Sequence, residues 1–125
     1  MSETRFYRVV TAVVAALTLS AVAAPGLVQA HIKVHAAAAT VTVAASEYKF
    51  VLSTKSAKPG TVTFKVTDKG HIQHDFEIDG KKTSLISPGR SATLKVTFKK
   101  AGSYPYLCTV PGHAELGMKG NFKIT

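Results

Sequence analysis

The sequence predicts an all-β protein, a β-sandwich preceded by an N-terminal signal peptide. From Ala39 onward, apolar and polar residues alternate with period two, which is typical of strands that have one buried face. Turn residues such as Pro, Gly and Asp separate these segments, and no segment after the N-terminus has the period of a helix. About seven short strands at this spacing fit one sandwich domain.

The N-terminus has the three-part layout of a secretory signal peptide. Arg5 and Arg8 precede an uncharged, mostly apolar run over residues 9–24, and small residues follow up to Ala30. The run has about sixteen residues, fewer than the roughly twenty that span a bilayer. We therefore expect residues 1–30 to direct export, with a retained membrane anchor as the alternative.

Export also sets the expected organisation and location of the chain. Cleavage after Ala30 leaves a flexible N-terminal segment at 31–38 and one folded domain at 39–125. The domain is then expected outside the cytoplasm, in the periplasm or on the outer face of the cytoplasmic membrane.

Seven segments of the domain show the strand alternation. Their inward positions are Val41 and Val43; Tyr48, Phe50 and Leu52; Val62, Phe64 and Val66; Ile72, His74, Phe76 and Ile78; Leu94, Val96 and Phe98; Tyr104, Tyr106 and Cys108; and Phe122 and Ile124. The fourth series predicts a strand over 72–78 that turns the His74 side chain into the interior. His71 lies three residues earlier and is expected at a turn or on the surface.

The chain is basic, with 16 Lys and Arg against 7 Asp and Glu and a formal net charge of +9. Lysines at outward strand positions indicate a solvated face, with a dedicated charged patch as the alternative. They are Lys49, Lys65, Lys95, Lys99 and Lys123. Nucleic acid is not an expected partner, because the domain has one arginine, Arg90, and no basic run interleaved with aromatic residues.

One stretch near the C-terminus concentrates groups that bind metals. Cys108, His113 and Met118 follow one another at five-residue intervals, with prolines and glycines that let the chain fold back. Cys108 is the single cysteine, and an unpaired thiol outside the cytoplasm is oxidised unless it is buried or bound to metal. His74 is the candidate fourth ligand. Two imidazoles, a thiolate and a thioether suit copper in electron transfer better than zinc.

Each of these residues also has a structural alternative. Cys108 and Met118 would each serve as core fillers, His74 as a hydrogen-bonded core histidine and His113 as a loop residue. The coincidence of four suitable donors, glycine hinges and export favours the metal site.

The same stretch resembles the copper loop of cupredoxins, the blue copper proteins that include plastocyanin and azurin. The resembling pattern is Gly102-x-Tyr104-x-Tyr106-x-Cys108-x-x-Pro111-Gly112-His113-x-x-x-Gly117-Met118, together with His74-Asp75-Phe76 upstream. The Cys-x4-His-x4-Met spacing is that of rusticyanin and auracyanin. The resemblance implies a Greek-key sandwich with one type 1 copper ion, in which His74, Cys108 and His113 are equatorial ligands and Met118 is the axial one.

Asp75 departs from the family pattern, in which Asn commonly follows the first histidine ligand. In the family that residue connects the histidine segment to the residue after the cysteine, here Thr109. A carboxylate can still accept from the Thr109 hydroxyl or from a backbone amide, so we expect copper binding to survive. A negative charge so near the copper would act to lower its reduction potential, and the value of the potential stays open.

These features together predict a small exported type 1 copper protein, not an enzyme, that carries single electrons between extracytoplasmic redox partners. We expect a monomer in which the ring edge of His113, on the loop with Pro111, Ala114 and Leu116, is the exit for electrons within a small apolar patch. The lysines, including Lys69 and Lys119, would steer the protein toward acidic partners such as cytochrome domains. Membrane contact is expected only if the signal segment is retained. A copper chaperone or storage protein is the alternative function, and His31 with His35 forms a candidate second copper site.

Overall fold

In the computed structural model, Gly26 and residues 38–125 are described. The predicted signal segment at 1–30 and the segment at 31–38 therefore lie outside the described residues, apart from Gly26 and Ala38, and so do His31 and His35. No helix occurs among the described residues, so none of them belongs to a helix long and apolar enough to cross a bilayer. The strands are β1 (Ala39–Ser46), β2 (Lys49–Leu52), β3 (Ser56–Ala57), β4 (Gly60–Asp68), β5 (Glu77–Ile78), β6 (Lys81–Lys82), β7 (Ser91–Phe98), β8 (Gly102–Leu107) and β9 (Lys119–Ile124).

The nine strands form two mixed sheets. The first sheet has the order β2-β1-β4-β7, with β1 parallel to β4, and the second has the order β3-β9-β8-β5-β6, with β3 parallel to β9. The chain crosses between the sheets five times, after β2, β3, β4, β6 and β7, as Greek-key connections do. The predicted all-β sandwich is confirmed.

Aromatic side chains from both sheets fill the space between them. Phe64 on β4 lies 5.3 Å from Phe122 on β9 and 5.2 Å from Phe76, ring centroid to ring centroid. These edge-on and tilted contacts are the arrangements that aromatic rings prefer. The predicted inward positions of β1, β4, β7 and β9 are buried or partly buried, and the five outward lysines are exposed, as the alternation requires.

The predicted strand over 72–78 is wrong for most of its length. Only Glu77–Ile78 pairs as a strand, and the Ile72 side chain, predicted inward, is exposed. The Ile72 amide donates to the Glu47 carboxylate and the Phe76 amide donates to the Thr83 hydroxyl, so neither amide pairs with a neighbouring strand. Tyr48 was also predicted inward, but it lies in the turn between β1 and β2 and is exposed.

Candidate metal centre

His74 enters the site from the irregular segment between β4 and β5. Its backbone forms an isolated bridge with Ile86, in which the amide of each residue donates to the carbonyl of the other at 3.1 and 2.8 Å. Its side chain is fully buried, as predicted. The bridge holds the histidine backbone in place without committing the neighbouring residues to a strand. His71, by contrast, has a side chain that is 95% exposed, as expected of a surface residue.

Cys108 and Met118 lie at the two ends of a loop that closes on itself. Cys108 follows β8 directly, and its amide donates to the Met118 carbonyl at 3.0 Å. The Met118 amide donates to the His113 carbonyl at 3.0 Å, and the His113 amide to the Val110 carbonyl at 3.1 Å. Gly112 and Gly117 have φ angles of 84° and 110°, which other residues rarely adopt. Three potential ligands are thus fixed by one short, hydrogen-bonded loop.

The donor atoms of His74, Cys108 and His113 converge. All three atoms lie within 4.8 Å of one another, and all three residues are buried. The two Nδ1 atoms are 3.2 Å apart, and Cys108 Sγ is 3.5 Å from His113 Nδ1. Donors that share one ion at bond lengths of about 2.0–2.3 Å lie within roughly 4.5 Å of one another, and the two separations of 3.2 and 3.5 Å meet this limit, so the cluster suits a single metal ion.

The chemistry of the donors suits a type 1 copper site. Two imidazoles and one thiolate form the trigonal set of such sites, with a thioether as the weak fourth donor. Met118 is fully buried, and its backbone is hydrogen bonded to both Cys108 and His113. Its role as axial ligand stays a prediction. Burial raises the pKa of the Cys108 thiol, so an incoming metal ion must displace the thiol proton.

Asp75 connects the His74 segment to the residue after Cys108, as the sequence suggested. The buried Asp75 carboxylate accepts from the Thr109 amide at 2.6 Å and from the Thr109 hydroxyl. Lys82 on β6 joins this pair: its ammonium donates to Thr109 Oγ1 at 3.1 Å and lies 3.8 Å from Asp75 Oδ2. The sequence does not mark Lys82 as part of the site, because nothing local distinguishes it from the other surface lysines.

Glu47, in the turn between β1 and β2, is a second residue that the sequence analysis missed. Its Oε1 accepts from the His71 amide at 2.6 Å and the Ile72 amide at 3.0 Å. The His71 amide is the main reason why the pKa of Glu47 falls to about 2. His74 Nε2 lies 3.4 Å from the same oxygen, outside good hydrogen-bond geometry, and has no hydrogen-bond partner among residues 38–125.

The same turn also reaches the second histidine. The edge of the Tyr48 ring meets the His113 ring, with centroids 5.1 Å apart and planes at 70°. One turn therefore contacts both imidazoles of the site, through Glu47 on one side and Tyr48 on the other. No sequence signal marks this turn as part of the site, because contacts across the fold depend on tertiary register.

His113 borders a cleft at the surface. The cleft has a volume of about 530 Å³ and is lined by Ile72, Gln73, Asp75, Lys82, Leu85, Thr109, Val110, Pro111 and His113. We call its four apolar members, Ile72, Leu85, Val110 and Pro111, the apolar rim. Ile72 and Leu85 are large and exposed. Of Pro111, Ala114 and Leu116, the residues expected to form an apolar patch around His113, only Pro111 lines this cleft.

The sequence matches a known family over most of its length. Residues 27–125 match the family described as copper binding proteins, plastocyanin/azurin family. The copper-resistant cuproprotein CopI of Rubrivivax gelatinosus is 31% identical over 105 residues, which cover 65% of this chain and 63% of that protein. The multicopper oxidase mco of Staphylococcus epidermidis is 35% identical over 63 residues, 50% of this chain but 14% of the oxidase. The chain thus spans less than two thirds of the length of either relative.

Solved structures agree on the fold. Reduced auracyanin from Roseiflexus castenholzii superposes with a TM-score of 0.61 at 22% identity, covering 69% of this chain and 96% of auracyanin. Auracyanin A from Chloroflexus aurantiacus superposes with a TM-score of 0.60 at 20% identity, covering 71% of this chain and all of auracyanin A. The sandwich therefore follows a known architecture.

Proposed function

The chain belongs to the plastocyanin/azurin family of copper-binding proteins, and from that premise we propose that it is an exported one-electron carrier. The observation that carries the proposal is the convergence of the donor atoms of His74, Cys108 and His113, all within 4.8 Å of one another in a buried pocket. Bound copper supplies a one-electron change between Cu(II) and Cu(I). The chain supplies the cage, the exclusion of water and the contact surface.

The proposed cage is formed by side chains of this chain alone. His74 and His113 offer imidazole nitrogens, Cys108 offers sulfur, and Met118 is proposed as the weak axial thioether. The backbone hydrogen bonds between Cys108, His113 and Met118 keep the loop closed on its own. A loop held by its own backbone hydrogen bonds has little to rearrange when the charge of the metal changes, which favours rapid electron transfer.

Electrons are proposed to leave and enter through His113. Its ring lies at the cleft bordered by the apolar rim, and small apolar contacts of this kind suit transient redox encounters. The exposed lysines and the positive net charge would steer the protein toward acidic partners, such as cytochrome domains. We propose that the protein acts as a monomer outside the cytoplasmic membrane.

A copper-resistance role, in which the protein binds and holds copper, is the second candidate. The relative CopI, a copper-resistant cuproprotein, supports this role. An oxidase role has less support. The relative with that name is about seven times longer than the matched part, and residues 38–125 contain one cluster of metal-binding side chains.

The test is copper reconstitution of the purified protein with optical and electrochemical readouts. Cu(II) should produce an intense visible absorption from thiolate-to-copper charge transfer, which Cys108→Ser should abolish while the far-UV circular dichroism stays unchanged. His71→Ala is the matched control, because its side chain is exposed and should leave the colour intact.

The two candidate functions predict different behaviour of the loaded protein. A carrier should give reversible one-electron voltammetry and lose copper slowly to a chelator. A resistance protein should release copper readily and give poor reversibility. A protein with no visible absorption after loading would contradict the carrier role.

A further inference from the structure

A buried carboxylate lies directly beside the candidate copper ligands. Asp75 follows His74 in the chain and is 3% exposed, and both of its oxygens are engaged by Thr109, the residue after Cys108. Removing an ionised carboxylate from water is costly unless a positive charge or several hydrogen bonds compensate it. A lone negative charge here would also favour Cu(II) over Cu(I) and depress the reduction potential.

One cation lies close enough to compensate the negative charge of Asp75. Among residues 38–125, Lys82 is the only basic side chain within ion-pair distance of Asp75, with Nζ at 3.8 Å from Oδ2. The same ammonium donates to Thr109 Oγ1 at 3.1 Å, and that hydroxyl in turn donates to Asp75. Lys82 therefore touches both members of the pair that connects the His74 segment to the Cys108 segment.

The placement of this ammonium is specific to Lys82. In the β5–β6 hairpin, Lys82 lies opposite Glu77, which would be its ordinary cross-strand partner. Its ammonium pairs instead with Asp75 and Thr109. The adjacent Lys81 lies opposite Ile78, is exposed, and belongs to no ion pair of the described residues.

We propose that Lys82 is the counterion of Asp75 and a positioning residue for Thr109, and that it raises the reduction potential of the copper site. The potential part of this inference rests on the proposed function. The structural part, an Asp75–Lys82 pair that holds Thr109, does not require copper. By this reasoning the carboxylate that departs from the family pattern is tolerated because Lys82 cancels its charge.

The first arm of the test measures reduction potentials by voltammetry. Lys82→Met should lower the potential, Asp75→Asn should raise it, and the double variant should return toward the wild-type value because both charges are gone. Lys82→Arg keeps the charge and should stay near wild type. Lys81→Met is the matched control and should leave the potential nearly unchanged. Equal shifts in potential for Lys82→Met and Lys81→Met would overturn the proposal. They would show that Lys82 affects the site only as any other surface charge does.

The second arm uses the metal-free protein and a double-mutant cycle in urea. Lys82→Met should lower the unfolding midpoint when Asp75 is present and lower it much less in the Asp75→Asn background. In that background the Asn amide can donate to Thr109 in place of the lysine. Equal losses in both backgrounds would overturn the pairing. If the protein bound no copper, the proposed function would fail, and this arm would still decide whether Lys82 is the counterion of Asp75.

Discussion

The interior of the sandwich and its copper end are held together in opposite ways. In the interior, each side chain has several equivalent neighbours: the Phe64 ring alone lies near those of Phe76, Phe98 and Phe122. At the copper end, polar side chains are buried and each depends on one or two specific partners, such as Asp75 on Thr109. The contacts of an interior side chain are therefore redundant, whereas those of a polar side chain at the copper end are not.

This difference separates stability from function. Loss of one apolar side chain weakens many small contacts and should lower the free energy of unfolding in proportion to the volume removed. Loss of one polar partner at the copper end should disturb the metal site at a smaller cost to the fold. Four variants, taken from the largest expected loss of stability to the smallest, test this contrast.

Phe64→Ala should have the largest effect on stability. Its ring is fully buried between the sheets, so truncation leaves a cavity and should lower the unfolding free energy by about 3–5 kcal/mol. Urea denaturation of the metal-free protein measures this. A loss below about 1 kcal/mol would mean that the interior repacks and would undermine the description of the core.

Gly117→Ala should lower the free energy of unfolding by about 1–2 kcal/mol, because the φ angle of 110° at this position strains any residue with a side chain. Gly89→Ala, with a φ of 77° in a turn outside the copper loop, is the matched control and should cost a similar amount. The copper absorption should shift in the first variant and stay unchanged in the second. The same optical shift in both would show that general destabilisation, and not the loop, moves the spectrum.

Glu47→Gln should lower stability less, because the amide oxygen can still accept from His71 and Ile72. The copper spectrum should nevertheless change, since the negative charge facing His74 Nε2 is removed. Glu47→Ala, which loses the acceptor as well, should affect both properties more strongly. Glu115→Ala is the control, because Glu115 is an exposed acidic residue on the copper loop itself. An unchanged spectrum in both Glu47 variants would show that this carboxylate has no influence on the metal site.

Leu85→Ser should change stability least, within about 0.5 kcal/mol, because the side chain is exposed. It removes part of the apolar rim, so electron self-exchange between molecules, measured by NMR line broadening, should slow. Val51→Ser is the matched control, an exposed apolar residue on β2. Equal slowing in the two variants would argue against the rim as the contact surface.

The parts of the molecule that the sequence predicted are those governed by local patterns. Alternation identified the long strands and their buried faces, and the Cys108–His113–Met118 spacing located the loop. The segment before β5 was mispredicted, because the side chains of Glu47 and Thr83 accept from the amides of Ile72 and Phe76, which alternation assigns to a strand. Lys82 and Glu47 could not be assigned to the site from the sequence for the same physical reason. Their partners lie far away along the chain, and only the folded register brings them together.

The contact between Tyr48 and His113 gives the molecule an optical property of its own. The chain has no tryptophan, so the ultraviolet emission of its four tyrosines is not masked. Tyr48 is partly open to solvent, and its ring centroid lies 5.1 Å from that of His113. Its fluorescence should therefore dim when a paramagnetic, light-absorbing ion enters the pocket, so metal loading can be followed in dilute solution without any label.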